Sequence, residues 1–300
     1  MILGNNTLDN KIGLFLDFHL KKLKQYFQNK GILTDIMSYT GDIHDAYLTK
    51  FRELIEIMVS IRDENVKTLT IILTTPGGSP VAVEKMVDII RHYYDEINFI
   101  VPNSAMSAGT IFCMAGDKIY MDYSSSLGPI DPQVLKGDKY VPALGYLDKV
   151  NEFIEKSKAG TLSPAEFSMM QELDLAELAQ YEQAKDLSID LLKEWLVKYK
   201  FKNWDTHRSD PIKKGKKVTH DEKIKRAKDI AEKLSDNSLW HSHGRYIGIK
   251  TLQNILKLEI DDYSDNQTLR TPLLEYSNLL TEFVAKNNRR VYFHTNLKKE

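Results

Sequence analysis

Thiols are almost absent from this chain. A single cysteine, Cys113, excludes an internal disulfide and any cysteine-built metal cluster, and it suits a reducing compartment. It lies in the apolar run "GTIFCMAG", so it is expected to be a small buried hydrophobe, not a reactive thiol. Net charge is equally scarce. Formal charge is -1, and no global field draws the chain to nucleic acid or to an anionic membrane. The basic run "KKGKKVTH", Lys213 to His220, reads as a solvated loop. No stretch approaches the roughly 20 apolar residues of a membrane span. The N-terminus lacks the basic start and small-residue cleavage site of a signal peptide. The expectation is a cytoplasmic protein with no transmembrane segment and no nucleic-acid partner. Phosphate-binding fingerprints are missing too: there is no Walker spacing and no G-x-G-x-x-G.

What is present is ordinary globular material, 42% apolar and 28% charged over 300 residues. From about residue 31 to 130 the pattern alternates strand and helix. "ILTDIMSYT", "KTLTIILTT", "INFIVPN" and "KIYMDYS" read as strands. "IHDAYLTKFRELIEIMVSIRD", "PVAVEKMVDIIRHYYD" and "SAGTIFCMAG" read as the helices between them. That order predicts an α/β fold with a parallel sheet and right-handed crossovers. Beyond Gly160 the style turns helical. Ser163 with Glu166 and Thr219 with Glu222 each form a capping-box pattern, opening helices over 163–200 and 219–234. The division expected is an N-terminal amphipathic helix (1–30), an α/β core (31–160) and a mostly helical C-terminal region (161–300).

Ligands of parallel sheets bind at the carboxyl ends of the strands, and both unusual motifs fall there. "TTPGGSP" puts Gly77 and Gly78 at the mouth of a strand, where bare backbone N–H groups can face an anion or a developing oxyanion. A tight Pro-Gly turn would need the same residues. "PNSAMSAGT" puts Ser107 among small residues at the next strand-to-helix junction, where a hydroxyl can project as it does from a nucleophile elbow. The N–H of Ala108 would face the same point. A plain N-cap is the competing role for Ser107.

Taken in order, "LTTPGGSP", "IVPNSAMSAGT" and "MDYSSSLGPIDPQV" resemble the serine dehydrogenase proteinase family. It lies within the Clp/crotonase-like group, with signal peptide peptidase A nearby. "HSHGRYIG" and "LLEYSNLLTEFVAKNNRR" are similar to that family's tail. The resemblance implies a Clp-fold serine peptidase that cleaves extended polypeptide, with Ser107 as nucleophile and Gly78 and Ala108 as oxyanion donors. Ser79, Pro80 and Val81 would begin the strip that pairs with substrate backbone. No cofactor is implied. A homo-oligomer is, with helices at 8–28 and 163–200 as candidate interfaces, and a partner unfoldase or regulator stays open.

One departure bears on the chemistry. Asp131, in "PIDPQ", stands where the Clp protease has its histidine, and no histidine lies between His92 and His207. A serine hydroxyl needs a base. Relatives of the signal peptide peptidase type use lysine, and Lys136, Lys139 and Lys149 follow this segment. The other source is "WHSHGR", where His243 is favoured over His241. Asp131 is placed in the site without a proton-transfer role; it would equally brace a proline-stiffened loop. The spacing of the two histidines does not make a metal site. Two other classes stay in view. A crotonase-like acyl-thioester enzyme would need a glutamate and a coenzyme A pocket, and neither signature is seen. A catalytically inactive peptide-binding scaffold would follow from the missing histidine.

Overall fold

Each parallel strand is returned by a helix, as the alternation of apolar segments requires. The computed structural model describes residues 7–136, 139–208 and 211–295. Along the chain come α1 (Thr7–Asn29), β1 (Thr34–Gly41), α2 (Leu48–Ile61), β2 (Thr68–Thr74), α3 (Pro80–Tyr93) and β3 (Glu96–Val101). Then follow β4 (Ser104–Ala105), α4 (Ala108–Met114), β5 (Lys118–Met121), β6 (Ser126–Leu127), β7 (Gln133–Lys136) and β8 (Lys139–Pro142). The helical part holds α5 (Ala143–Lys158), α6 (Pro164–Gln171), α7 (Leu175–Trp195), α8 (His220–Ser235), α9 (Asn237–Trp240) and α10 (Ile249–Asn254). The chain closes with β9 (Asp261–Asp262), α11 (Gln267–Lys286) and β10 (Val291–Thr295).

The main sheet has the order β10-β1-β2-β3-β5-β9. All neighbours are parallel except β10, which runs antiparallel along β1 with Tyr39 opposite Phe293. Period-two alternation sends side chains to two different layers. Met37, Tyr39, Leu69, Ile71, Phe99 and Val101 join residues of α2, α3, α4, α7 and α8 in the larger core. Ile36, Ile72 and Ile100 join Leu16, Leu20, Leu23 and Phe27 of α1 and Leu269, Leu273 and Leu280 of α11. Helices α1 and α11 thus share a core with one face of the sheet, and α7 and α8 with the other.

Three details differ from the sequence reading. The helix expected over 163–200 is two helices. Asp174 interrupts it because its carboxylate caps α7, accepting from Ala176 N at 2.8 Å and Glu177 N at 3.3 Å. The C-terminal region also supplies β9 and β10, short strands whose hydrogen bonds come from the sheet edge and not from local patterning. A β7–β8 hairpin follows Asp131. Both capping boxes form as expected, and Cys113 is completely buried, which pushes its thiol pKa well up.

Candidate active site

Ser107 occupies the turn between β4 and α4 with φ 52° and ψ −116°. A positive φ on a residue with a Cβ costs about 1–3 kcal/mol and persists only when its surroundings over-determine it. Here they do. The Ser107 carbonyl accepts from Thr110 N at 2.8 Å, and the Met106 carbonyl accepts from Gly109 N at 2.8 Å. One turn into α4, Thr110 Oγ1 lies 2.9 Å from the Ala105 carbonyl and 2.8 Å from the Gly128 carbonyl. Ser107 holds the N-cap position yet caps nothing, and its hydroxyl bonds to no described residue.

The two glycines press against this turn. Gly77 has φ 109° and Gly78 φ 144°. A Cβ on Gly77 would lie 2.9 Å from Ser107 Cβ, and one on Gly78 would lie 2.0 Å from the Ile43 carbonyl oxygen. Ile43 N donates to Gly77 O and Ser79 N to Ile43 O, both at 2.9 Å. That parallel pairing uses the groups on either side of Gly78 and turns its own N–H away. The N–H of Gly78 donates to no described acceptor, and neither does that of Ala108, the first residue of α4. Gly77 departs from the expectation. Its N–H donates to Thr75 Oγ1 at 3.0 Å, so it is not free to meet an oxyanion.

Asp131 and His243 meet. His243 Nδ1 lies 2.9 Å from Asp131 Oδ1, with Asp131 1% exposed and the His243 side chain 23% exposed. Because a carboxylate accepts, this contact suits the neutral tautomer with its hydrogen on Nδ1, which leaves the Nε2 lone pair for a base. The other carboxylate oxygen, Oδ2, accepts from Gln133 Nε2 at 3.1 Å. Backbone hydrogen bonds bring these loops to the Ser107 helix. Gly128 N donates to Thr110 Oγ1 at 2.9 Å, and Ile130 N donates to the Leu234 carbonyl at 3.0 Å. Leu127 and Ile247 exchange both of their N–H···O bonds, at 3.0 and 2.8 Å, which draws the "HSHGRYIG" segment alongside. His241, at φ 62°, instead ends α9 and is exposed.

Other expected residues fall elsewhere. Ser79 N-caps α3, its Oγ accepting from Ala82 N at 3.1 Å, and Pro80 and Val81 are the first residues of that helix. A helical backbone cannot pair with an extended chain, so the strip expected at Ser79, Pro80 and Val81 is not a strand edge. Lys149 is exposed and paired with Glu152 at 2.7 Å. The backbones of Lys136 and Lys139 face each other in the β7–β8 hairpin; their side chains lie outside the described structure. Gln133 and Thr110 were missed. Thr110 had a signal, lying one helical turn beyond Ser107; Gln133, two residues beyond Asp131, had none of its own. Among the described residues, no group of three His, Cys, Asp or Glu could hold a metal ion.

The chain belongs to the family of ClpP-like SDH-type serine proteinases, whose profile matches residues 51–237. Two uncharacterized proteins of Methanocaldococcus jannaschii are similar. One is 41% identical over 68 residues, 23% of this chain and 24% of the relative. The other is 31% identical over 118 residues, 39% of each chain. The similarity thus spans about a quarter and two fifths of the relatives' own lengths. Among solved structures, the 1510-N membrane-bound stomatin-specific protease aligns with a TM-score of 0.46 and 15% identity, covering 82% of this chain and 85% of that one. No helix among the described residues is long and apolar enough to cross a membrane.

Proposed function

We propose that this protein is a serine peptidase acting on extended polypeptide, with Ser107, His243 and Asp131 as its triad. The observation that carries the reading is the His243–Asp131 hydrogen bond, formed by loops tied to the helix that Ser107 opens. Ser107 Oγ attacks the scissile carbonyl carbon while His243 Nε2 takes its proton. The N–H groups of Gly78 and Ala108 receive the negative oxygen of the tetrahedral intermediate. His243 then hands the proton to the departing amine, and water cleaves the acyl-enzyme by the same steps in reverse order. Asp131 takes no proton in this scheme: it holds the imidazole in the useful tautomer and stabilises the imidazolium, while Gln133 holds the carboxylate. Asp131 thereby acts as orienter, and His243 rather than Lys136 as base.

Assembly into a homo-oligomer belongs to the same reading. Leu14, Phe15 and Phe18 on α1 are 63, 61 and 51% exposed, an apolar surface that a second copy would cover. A cytoplasmic setting accords with the lone buried cysteine. A fluorophosphonate probe tests the triad. Phosphonylation at Ser107, lost in both Ser107→Ala and His243→Ala, is the expected result; labelling that survives in Ser107→Ala would refute it.

A further inference from the structure

A cavity of about 600 Å³ opens between the turn after α7, the first half of α8 and the loop after α10. That volume is within the range of small-molecule sites, roughly 300–1,000 Å³. It is remote from Ser107. Lys200 at its base reaches the carbonyl of Asp117, the residue before β5, whereas Asp131 lies beyond the other end of that strand. Phe201 and Trp204 form an aromatic wall, their ring centroids 5.5 Å apart.

The cations lining this cavity differ in their pairing. Arg208 is matched by Glu259 at 3.3 Å, and Arg226 by Asp229 at 2.5 Å. Two lining cations, Lys257 and Lys200, make no direct ion pair with a described residue. Lys257 is exposed, forms no ion pair with a described residue, and is held at φ 48°. Lys200 Nζ has the Asp117 carbonyl at 3.4 Å as its contact, and no described carboxylate forms an ion pair with it. Burial pushes the Lys200 amine down to about 8, against the opposing pull of Asp261, Glu259 and Asp117. These carboxylates act on Lys200 without pairing with it, so its ammonium keeps donor capacity that an anion in the cavity would take up. The aromatic wall offers a flat ring a surface to stack on.

We infer that this cavity binds a small molecule combining a flat aromatic ring with a phosphate or carboxylate group. The ring lies against Trp204, and the anion is taken by Lys200 and Lys257. The inference does not depend on the peptidase reading.

Pyridoxal 5′-phosphate is a suitable probe, because it joins such a ring and anion to an aldehyde. The Lys200 amine adds to the aldehyde carbon, water leaves, and an imine forms. Borohydride delivers hydride to the imine carbon, and a proton from water completes a stable secondary amine. Peptide mass spectrometry of the full chain then locates the label. Lys200 is expected to be modified ahead of the exposed lysines, with inorganic phosphate competing. Pyridoxal, which lacks the phosphate, should react about tenfold more slowly, the scale of a lost charge-assisted contact. Lys257→Gln, an exposed change, should slow labelling by the phosphate but not by pyridoxal. Two results would overturn the inference: label spread over surface lysines with Lys200 unmodified, or equal rates for the two aldehydes.

Discussion

Two serines sit at neighbouring strand-to-helix junctions and do opposite things. Ser79 begins α3 with φ −79° and ψ 116°, and its hydroxyl accepts from Ala82 N. Ser107 begins α4 with φ 52° and ψ −116°, and its hydroxyl accepts from no described residue. Residue type, position and strand order are alike. The first serine spends its oxygen on the helix, as an N-cap does; the second holds a strained backbone and leaves its oxygen free. A strained turn without a local return points to chemistry.

The contrast is broken most severely at Ser107. Ser107→Ala should lower kcat by about 10⁶ without lowering the melting temperature, since no hydrogen bond of the hydroxyl is lost. Ser107→Gly should be equally inactive and more stable than the alanine variant by about 1 kcal/mol, because glycine accepts the positive φ. Denaturant melts of the two variants measure the difference; equal midpoints would remove the strain argument. Gly78→Ala comes next. An oxyanion donor is worth about 10²–10³ in kcat. The added Cβ would also strike the Ile43 carbonyl, so both rate and thermal midpoint should fall. A changed midpoint with an unchanged rate would reduce the glycine to a turn residue.

A third measurement separates folding from catalysis. Burial holds His294 and His19 below the ordinary histidine value of 6.5. Burial favours their neutral forms in the fold, so their contribution to stability is present above pH 6.5. It is lost as pH falls below 6.5 through their lowered folded values. His294 packs against Tyr276 and Asp17, on the α1–α11 side of the sheet. His294→Gln should therefore flatten the acid limb of the stability curve while the pH–rate profile keeps its shape. The smallest effect belongs to Ser79→Ala. Loss of the cap should cost about 1 kcal/mol, with a change in kcat far below that of Ser107→Ala. A comparable loss of activity would erase the distinction between the two serines.

Much of this was legible in the residues. Gly77, Gly78 and Ser107 stood out because glycine pairs and small-residue serine turns at strand ends have few uses. Asp131 was drawn in by the motif it sits in. Gln133 was not, because a glutamine near an aspartate carries no signal until the loop's path is known. Gly77 was credited with a free N–H because sequence does not reveal that the Thr75 side chain turns back to it.

Local physics is short-ranged, and the chain records it directly. Capping boxes at Ser163 and Thr219, the buried runs of β2 and β3, and the inert setting of Cys113 follow from neighbours within a few residues. Meetings between distant segments are decided by packing. His243 reaches Asp131 across 112 residues because Leu127 pairs with Ile247 and Leu234 accepts from Ile130. Such backbone bonds carry no side-chain signature. β10 likewise finds the edge of β1 only once α11 has crossed the sheet. The chemistry available was written in the sequence; the partner of each group depended on which surfaces the closed core brought together.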